Sequence, residues 1–407
     1  MEEWKSYKLS DVTDSIGDGI HGTPKYDEDG SYFFINGNNL ENGKIIIRSS
    51  TKRVSEEEAL KHRKRISERT ILVSINGTLG NTARYNYERC ILGKSACYLN
   101  VKEDVDIDFI YYVVTNKQFK DTISRLATGT TIKNVSLETM RNYEFFMPSL
   151  ENQKKISSIL KSIDDKIAIN CQINDNLEQQ AQALYKSWFV DFEPFKDGKF
   201  IDSELGIIPE GWKILPLSSL GSIICGKTPS KSNKDFYDGN IPFIKIPDMH
   251  NKIFVSNSED HLSDLGMNSQ RNKTIPPYSI LVSCIATVGL VCINTKVCQT
   301  NQQINTLIPY EDSYRIYLFL FLKSLREQLI TLGSGGTTTL NVNTSQFSNL
   351  KIIVPDTKSL KAFSSIAESL FQGINNNCDT NYMLSNLRDM ILPKLMSGEL
   401  KINDLDC

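Results

Sequence analysis

A chain of 407 residues, 40 % hydrophobic and 23 % charged, has the composition of a soluble globular protein and enough length for two or more domains with ample core. The start, MEEWKSYKL, holds no apolar signal-peptide core, and the longest strongly apolar run, Tyr317 to Leu322, is far too short to span a bilayer, so no membrane association is expected. Nine cysteines, an odd number without any CxxC pair, and four histidines that do not cluster near them argue against a zinc site and for reduced structural thiols in a cytoplasmic protein.

The net charge of −2 argues mildly against a nucleic-acid binder, but it hides a partition. Residues 151–210 carry seven Lys/Arg against eleven Asp/Glu, and 356–407 carry five against seven. Removing those twelve basic and eighteen acidic residues from 46 and 48 leaves 34 and 30 in the remaining two blocks, an excess of four positive charges. That bias leaves nucleic-acid binding open without establishing it.

In chain order, residues 1–150 form a first block of mixed character. Short β-rich runs (Tyr32–Ile35, Thr70–Ile75, Tyr143–Met147) alternate with turn signals such as Asn-Gly at 36–37 and 76–77. Asp108 to Leu126 predicts a helix that ends before the Gly129 region. Residues 151–189 then form the longest stretch without Pro or Gly. Ile156, Leu160, Ile163 and Ile167 step by 4, 3 and 4, and Leu177, Ala181 and Leu184 resume the phase, with Asn170 and Asn174 on the seam between them. About 36 residues of helix would run about 54 Å, long enough to act as a spacer. Residues 190–210 predict a linker, broken by Pro194, Gly198, Gly206 and Pro209, with Trp188, Phe189, Phe192 and Phe195 as apolar anchors.

The plan then repeats. Trp4-Lys5 with Leu9-Ser10 returns as Trp212-Lys213 with Leu217-Ser218. Ile71-Leu72-Val73-Ser74 returns as Ile280-Leu281-Val282-Ser283, each with a Gly six residues after the Ser. GTTIKNVS from Gly129 returns as GTTTLNVN from Gly336, an offset of 207. The offset holds at 207 to 209 throughout, so the chain is a tandem duplication. Residues 211–355 form the second block, with a helix expected over Tyr314–Leu332, and 356–407 a second long helix and tail. On that helix Phe363, Ala367, Leu370, Ile374, Leu384 and Ile391 lie on the same seam, and Asn377 and Asn381 match Asn170 and Asn174.

The expected fold is therefore α+β: a tandem duplication of a globule plus a long helix, with the two helices pairing as an antiparallel coiled coil with pseudo-twofold symmetry. Polar residues on the seam weaken a helix pair but fix its register, which makes these four asparagines candidate register pins.

Two apparent enzyme motifs fail on context. Gly221 to Thr228 matches the phosphate-cradling G-x-x-x-x-G-K-[ST], but Pro229 and a loop composition follow where a helix N-terminus is required; the first block offers Gly22-Thr23-Pro24 at the corresponding place. Pro276-Pro277-Tyr278 is similar to an amino-methyltransferase motif but has Ile275 in place of its polar first residue, and reads as a turn into the strand at Ile280. No catalytic or metal-ligating set is expected.

Three groups of residues are candidates for DNA contact. The Gly-rich loops supply Thr130, Thr131, Lys133 and Asn134 in one copy and Thr337, Thr338 and Asn341 in the other, donors suited to phosphates and base edges; turn formation is the competing role of the two asparagines. Lys44 to Arg69 holds nine Lys/Arg against four Glu, including Arg63, Lys64 and Arg65, which suits either a solvated face or phosphate contact. His21 and Lys25 in the first copy, and Lys227 and Lys231 in the second, occupy loops that differ most between the copies.

SWFVDFEPF and SELGIIPEGW, spanning 187–212, resemble the central segment of type I restriction–modification specificity subunits, and LPKLMSGEL at 392–400 resembles their C-terminal segment; the duplicated plan is similar from end to end. The resemblance implies a non-catalytic subunit with two target-recognition domains, each reading half of a split site in double-stranded DNA. It also implies spacer helices that dock two modification (adenine methyltransferase) subunits. No cofactor is expected on this chain; S-adenosylmethionine on the modification subunits and ATP/Mg on restriction/translocase subunits are implied for the complex. The alternative is a coiled-coil scaffold that uses the same helices without reading DNA.

Overall fold

The computed structural model describes residues 4–129, 131–334 and 339–400. It divides into two compact units, Met1–Ala168 with Asn381–Cys407, and Ile169–Thr380. Each unit joins one globular block to half of each long helix.

In the first unit the sequence TILVS forms the strand Thr70–Ser74, buried at every position. Alternation explains why it is apolar throughout: Ile71 and Val73 face one core, with Phe109 and Leu160, while Leu72 faces another, with Ile35 and Leu92. The strand sits inside an antiparallel sheet ordered Thr13–Gly17, Ala96–Val101, Thr70–Ser74, Thr82–Arg84. A second sheet has Tyr32–Ile35 at its centre, antiparallel to Arg53–Val54 and parallel to Cys90–Leu92. The ribbon Lys5–Lys8 with Glu144–Met147 ties the start of the block to its end, just before the long helix.

The second unit repeats this plan. Ile280–Ser283 is likewise buried throughout, between Ile304–Pro309 and Val291–Asn294, with Ile280 and Val282 in one core and Leu281 in another. Tyr237–Ile244 is antiparallel to His261–Leu262 and parallel to Gln299–Thr300, and Lys213–Pro216 pairs with Lys351–Val354. Each Ser-to-Gly spacing closes one turn: the Ser74 and Ser283 carbonyls accept the N–H groups of Gly80 and Gly289 at 2.9 Å, and both glycines hold positive φ (+77° and +87°).

The helix expected over Asp108–Leu126 is two helices, Ile107–Thr115 and Lys117–Leu126. Asn116 breaks it: its backbone is extended and its side-chain oxygen accepts the Phe119 N–H at 2.7 Å, so it caps the second helix. The expected Tyr314–Leu332 helix is likewise Arg315–Ser324 and Arg326–Gly333. The linker holds more order than its composition implies: a hairpin, Phe200–Ser203 with Gly206–Pro209, follows the turn Glu193–Phe195. Its four aromatic anchors gather around the second block. Phe189, Phe192 and Phe195 lie 5.8, 5.7 and 4.9 Å from Trp212, Trp188 lies 6.0 Å from Phe195, and the Trp212 Nε1 donates to Asp356 at 3.1 Å.

The central helix runs Leu150–Phe189 and the distal helix Thr357–Ser397. Asp356 caps the distal one by accepting the Lys358 and Ser359 N–H groups. Pro393 lies inside its last turns without ending it, and Gly398 at φ +74° follows the final helical residue. The two helices run antiparallel within each unit. In the first, Asp164 meets Arg388 at 2.7 Å, and Ile156 and Leu160 share a core with Leu392 and Leu395. In the second, Phe189 lies 4.8 Å from Phe363, and the Asn377 amide donates to the Asn174 side-chain oxygen at 2.8 Å. Asn170 and Asn174 are both buried.

The globules grip the helix pair with different chemistry at equivalent positions. Tyr112 donates to Asp164 at 2.7 Å on one side while Arg388 donates on the other. Burial, then the Asp164 carboxylate, pushes the Tyr112 hydroxyl up; burial pulls the Arg388 guanidinium down, but Asp164 and Asp389 more than reverse this. Adding 207 to 112 and 164, and subtracting it from 388, gives Phe319, Phe371 and Ala181. There two rings meet edge to face at 5.3 Å, and the small Ala181 is fully buried. Arg388→Ala and Asp164→Ala are each expected to lower the stability of the first unit by about 1–3 kcal/mol, because each strands a half-buried partner. The double variant should lose less than the sum, measured by urea unfolding; strictly additive losses contradict the coupling.

Candidate nucleic-acid interface

In each unit three chain segments meet on a short bridge that follows the parallel strand of the second sheet. In the second unit this bridge is Asn301-Gln302-Gln303. The Lys227 N–H donates to the Thr300 carbonyl at 2.9 Å, Thr228 Oγ1 donates to Gln302 Oε1 at 2.8 Å, and the Cys284 N–H donates to the Gln303 carbonyl at 2.8 Å. Cys284 in turn accepts the Val342 N–H at 2.8 Å, which carries the end of the Gly-rich loop to the same place. In the first unit the bridge is Gly93-Lys94-Ser95. Ile20 N–H bonds Leu92 O at 2.8 Å, Ile75 N–H bonds Ser95 O at 3.0 Å, and Val135 N–H bonds Ile75 O at 2.8 Å.

This geometry corrects the loop correspondence taken from sequence. Gly19, not Gly22, is the partner of Gly226. A Cβ on Gly19 would collide with the Leu92 carbonyl, and one on Gly226 with the Asn301 carbonyl, so each glycine permits the same close backbone approach. His21 and Gly22 are then an insertion before Thr23-Pro24, and Pro24 and Pro229 are both buried. The G-x-x-x-x-G-K-T match dissolves for the same reason: Gly221–Cys225 is a sheet strand, and a loop rather than a helix follows Gly226. Pro276-Pro277-Tyr278 is a turn entering the strand at Ile280, with Arg315 stacked 5.1 Å from the exposed Tyr278 ring.

The basic run after the short helix also recurs. Ser55 caps Glu56–His62 and Ser263 caps Asp264–Asn268, so Arg63 and Arg65 stand where the second unit has Arg271 and Lys273. Lys61 and His62 are committed to Glu57 and Glu58 at 2.9 and 3.4 Å, and the Lys25 N–H donates to Glu58 at 2.9 Å. That N–H leads the groups that hold the Glu58 carboxyl below its usual range. His21 pairs with Asp18 at 2.8 Å. Among the described residues, Arg63, Lys64, Arg65, Lys227 and Lys231 have no such carboxylate partner, and all but the half-buried Lys64 are exposed.

The residues that end the Gly-rich loops bond the turn at Asn76-Gly77 and its equivalent at Ile285-Ala286. Gly77 N–H bonds Lys133 O and Ala286 N–H bonds Leu340 O, both at 3.0 Å. The Asn134 side-chain oxygen accepts from the Asn76 amide at 3.0 Å, while Asn341, Thr131 and Lys133 are exposed. Thr130, Thr337 and Thr338 lie outside the described residues. Sequence reasoning missed Lys94 and Gln302, both exposed on the bridge; the run Asn301-Gln302-Gln303, polar where a strand ends, was the available signal. Among the described residues no helix is long and apolar enough to cross a membrane.

The chain is thus a duplicated α+β protein with an equivalent polar bridge in each unit. A family model described as "Type I restriction modification DNA specificity domain" matches residues 1–179 and 209–394, once per repeat. The chain is 34 % identical to the type I restriction enzyme HindI specificity subunit of Haemophilus influenzae, covering 98 % of this chain and 100 % of the relative. It is 28 % identical to the MjaIX specificity subunit of Methanocaldococcus jannaschii, covering 99 % and 95 %. The fold matches the crystal structure of a type I S subunit from M. genitalium with a TM-score of 0.56 over 97 % of this chain and 96 % of that one, at 15 % identity. The chain therefore belongs to the family of type I restriction–modification DNA specificity subunits, the non-catalytic components of those systems.

Gly77 and Ala286 occupy the same left-handed turn position, at φ +75° and +62°. A Cβ on Gly77 meets nothing within 4 Å, so Gly77→Ala tests backbone strain alone and should cost about 1 kcal/mol, while Ala286→Gly should recover part of such a cost. Unchanged urea midpoints for both variants contradict this.

Proposed function

We propose that each globular block reads one half of a bipartite DNA site and that the two long helices dock two modification subunits. The observation that carries this reading is the bridge built twice by the same backbone bonds but with different exposed side chains: Lys94 beside Ile20 in one unit, Gln302 beside Lys227 and Thr228 in the other. Equal scaffolds with unequal donors suit two different half-sites. Lys227, Lys231 and the run Arg63–Arg65 supply charge for phosphates, and counterion release makes such contacts salt-dependent. S-adenosylmethionine belongs to the modification subunits in this reading.

Duplex binding by the assembled chain and modification subunits tests it. The complex is expected to prefer one split site over random duplex. Lys227→Ala with Lys231→Ala should weaken binding to all sequences and reduce the slope of log affinity against log salt by about 2. A complex with no preference for any split site is a scaffold, and the recognition reading fails.

The seam asparagines set register in the same reading. Replacing Asn170, Asn174, Asn377 and Asn381 with Leu should keep or raise helix stability while broadening the spacer lengths accepted between half-sites. Unchanged spacer preference removes them from that role.

A further inference from the structure

Beneath the exposed loops of the second unit lies a pair of buried amides. Gln299 is fully buried and Gln270 nearly so. Gln270 Nε2 donates to the Lys227 carbonyl at 2.6 Å and to Gln299 Oε1 at 2.8 Å. Gln299 Nε2 donates to the Met267 carbonyl at 3.0 Å and to Thr274 Oγ1 at 3.1 Å, with the Gln270 carbonyl at 3.3 Å. Two buried amides thus join four pieces of chain: the end of Asp264–Asn268, the turn Arg271–Thr274, the loop leaving Gly226, and the strand Gln299–Thr300.

The first unit is built differently: His62, 208 residues before Gln270, meets Glu58, which accepts the Lys25 N–H of the loop, and Ile91 stands where the second unit has Gln299. Gln299 pairs with Phe243 in the parallel ladder as Ile91 pairs with Phe34, and Met267 stands 208 residues after Ala59. There Val54, Ala59 and Ile91 form one apolar cluster. Buried amides bring a desolvation cost that only complete bonding offsets. Directional bonds give what apolar contact does not, a single orientation for the loops they hold. Those loops carry Lys227, Arg271 and Lys273, and Thr228, next to Lys227, holds the exposed Gln302 amide.

We infer that Gln270 and Gln299 are positioning residues for DNA reading by the second unit alone: they fix the Lys227 and Arg271–Lys273 loops around Gln302 and touch no nucleic acid themselves. This rests on the proposed recognition function and deepens it. It makes the two half-sites unequal in their dependence on this amide pair.

The test uses the full chain assembled with its modification subunits and duplexes altered in one half-site at a time. Gln270→Leu with Gln299→Leu keeps side-chain volume and removes the bonds. The variant is expected to lose about tenfold in discrimination at one half-site, on the scale of one lost base contact, while discrimination at the other half-site and the salt slope stay at wild-type values. Undiminished discrimination at both half-sites overturns the inference. Should the double variant lose both, Gln270→Leu alone decides, because it frees the Lys227 loop but leaves Gln299 its Met267 and Thr274 acceptors; loss confined to one half supports the inference and equal loss at both overturns it. A wild-type complex without split-site preference removes the parent reading, an outcome separate from a selective wild type whose variants are unchanged.

Discussion

The structure depends on an antiparallel seam that neither long helix can bury alone. Each helix carries an apolar stripe, and each globule packs its own strand-backed helices onto one end of the pair: Phe109 with Ile156 and Leu160 in the first unit, Tyr317 and Phe319 with Phe363 and Phe371 in the second. Burying a side chain of that size is worth about 1.5–3 kcal/mol, so a handful of seam residues outweighs any single polar contact in either unit. The polar contacts differ between the units: Asn377 donates to Asn174 in the second, and the first has Tyr112–Asp164–Arg388 where the second has Phe319–Phe371–Ala181.

The duplication made much of this legible before any coordinates. A 207-residue offset turns one weak helical pattern into two, and two related helices at opposite ends of a duplicated chain are expected to pair antiparallel. The Gly six residues after each ILVS serine marked the repeat, and in both units its N–H bonds that serine's carbonyl. Other features were hidden for physical reasons. The break at Asn116 depends on a side chain competing with the helix for backbone N–H groups, which periodicity does not register. The hairpin Phe200–Ser203 with Gly206–Pro209 lies in a segment that reads as linker because Pro194, Gly198, Gly206 and Pro209 punctuate it. Alignment by Gly-Thr-Pro misplaced the first recognition loop by three residues, because the feature that fixes it is a backbone collision at Gly19 and Gly226 rather than a side-chain match.

The candidate interface was legible in part. Its basic runs were visible, but not which charges were spent: Lys61, His62 and His21 have carboxylate neighbours, whereas among the described residues Arg63 and Arg65 pair with none. Lys94 and Gln302 emerged only when the bridge did, since long-range backbone bonds build it. Duplication followed by divergence accounts for the pattern. The main-chain bonds of the bridge are shared, the exposed side chains differ, and beneath them Gln299 is buried where the first unit has Ile91.

The central claim is that two recognition domains on one chain read two separate half-sites. Mapping methylated adenines across the genome of a host carrying this chain with its modification subunits tests it most directly. The expected result is one motif of two unlike specific parts separated by a fixed number of unspecified base pairs, with a substitution at Gln302 altering only one part. A single uninterrupted motif, or methylation without sequence preference, would contradict the account.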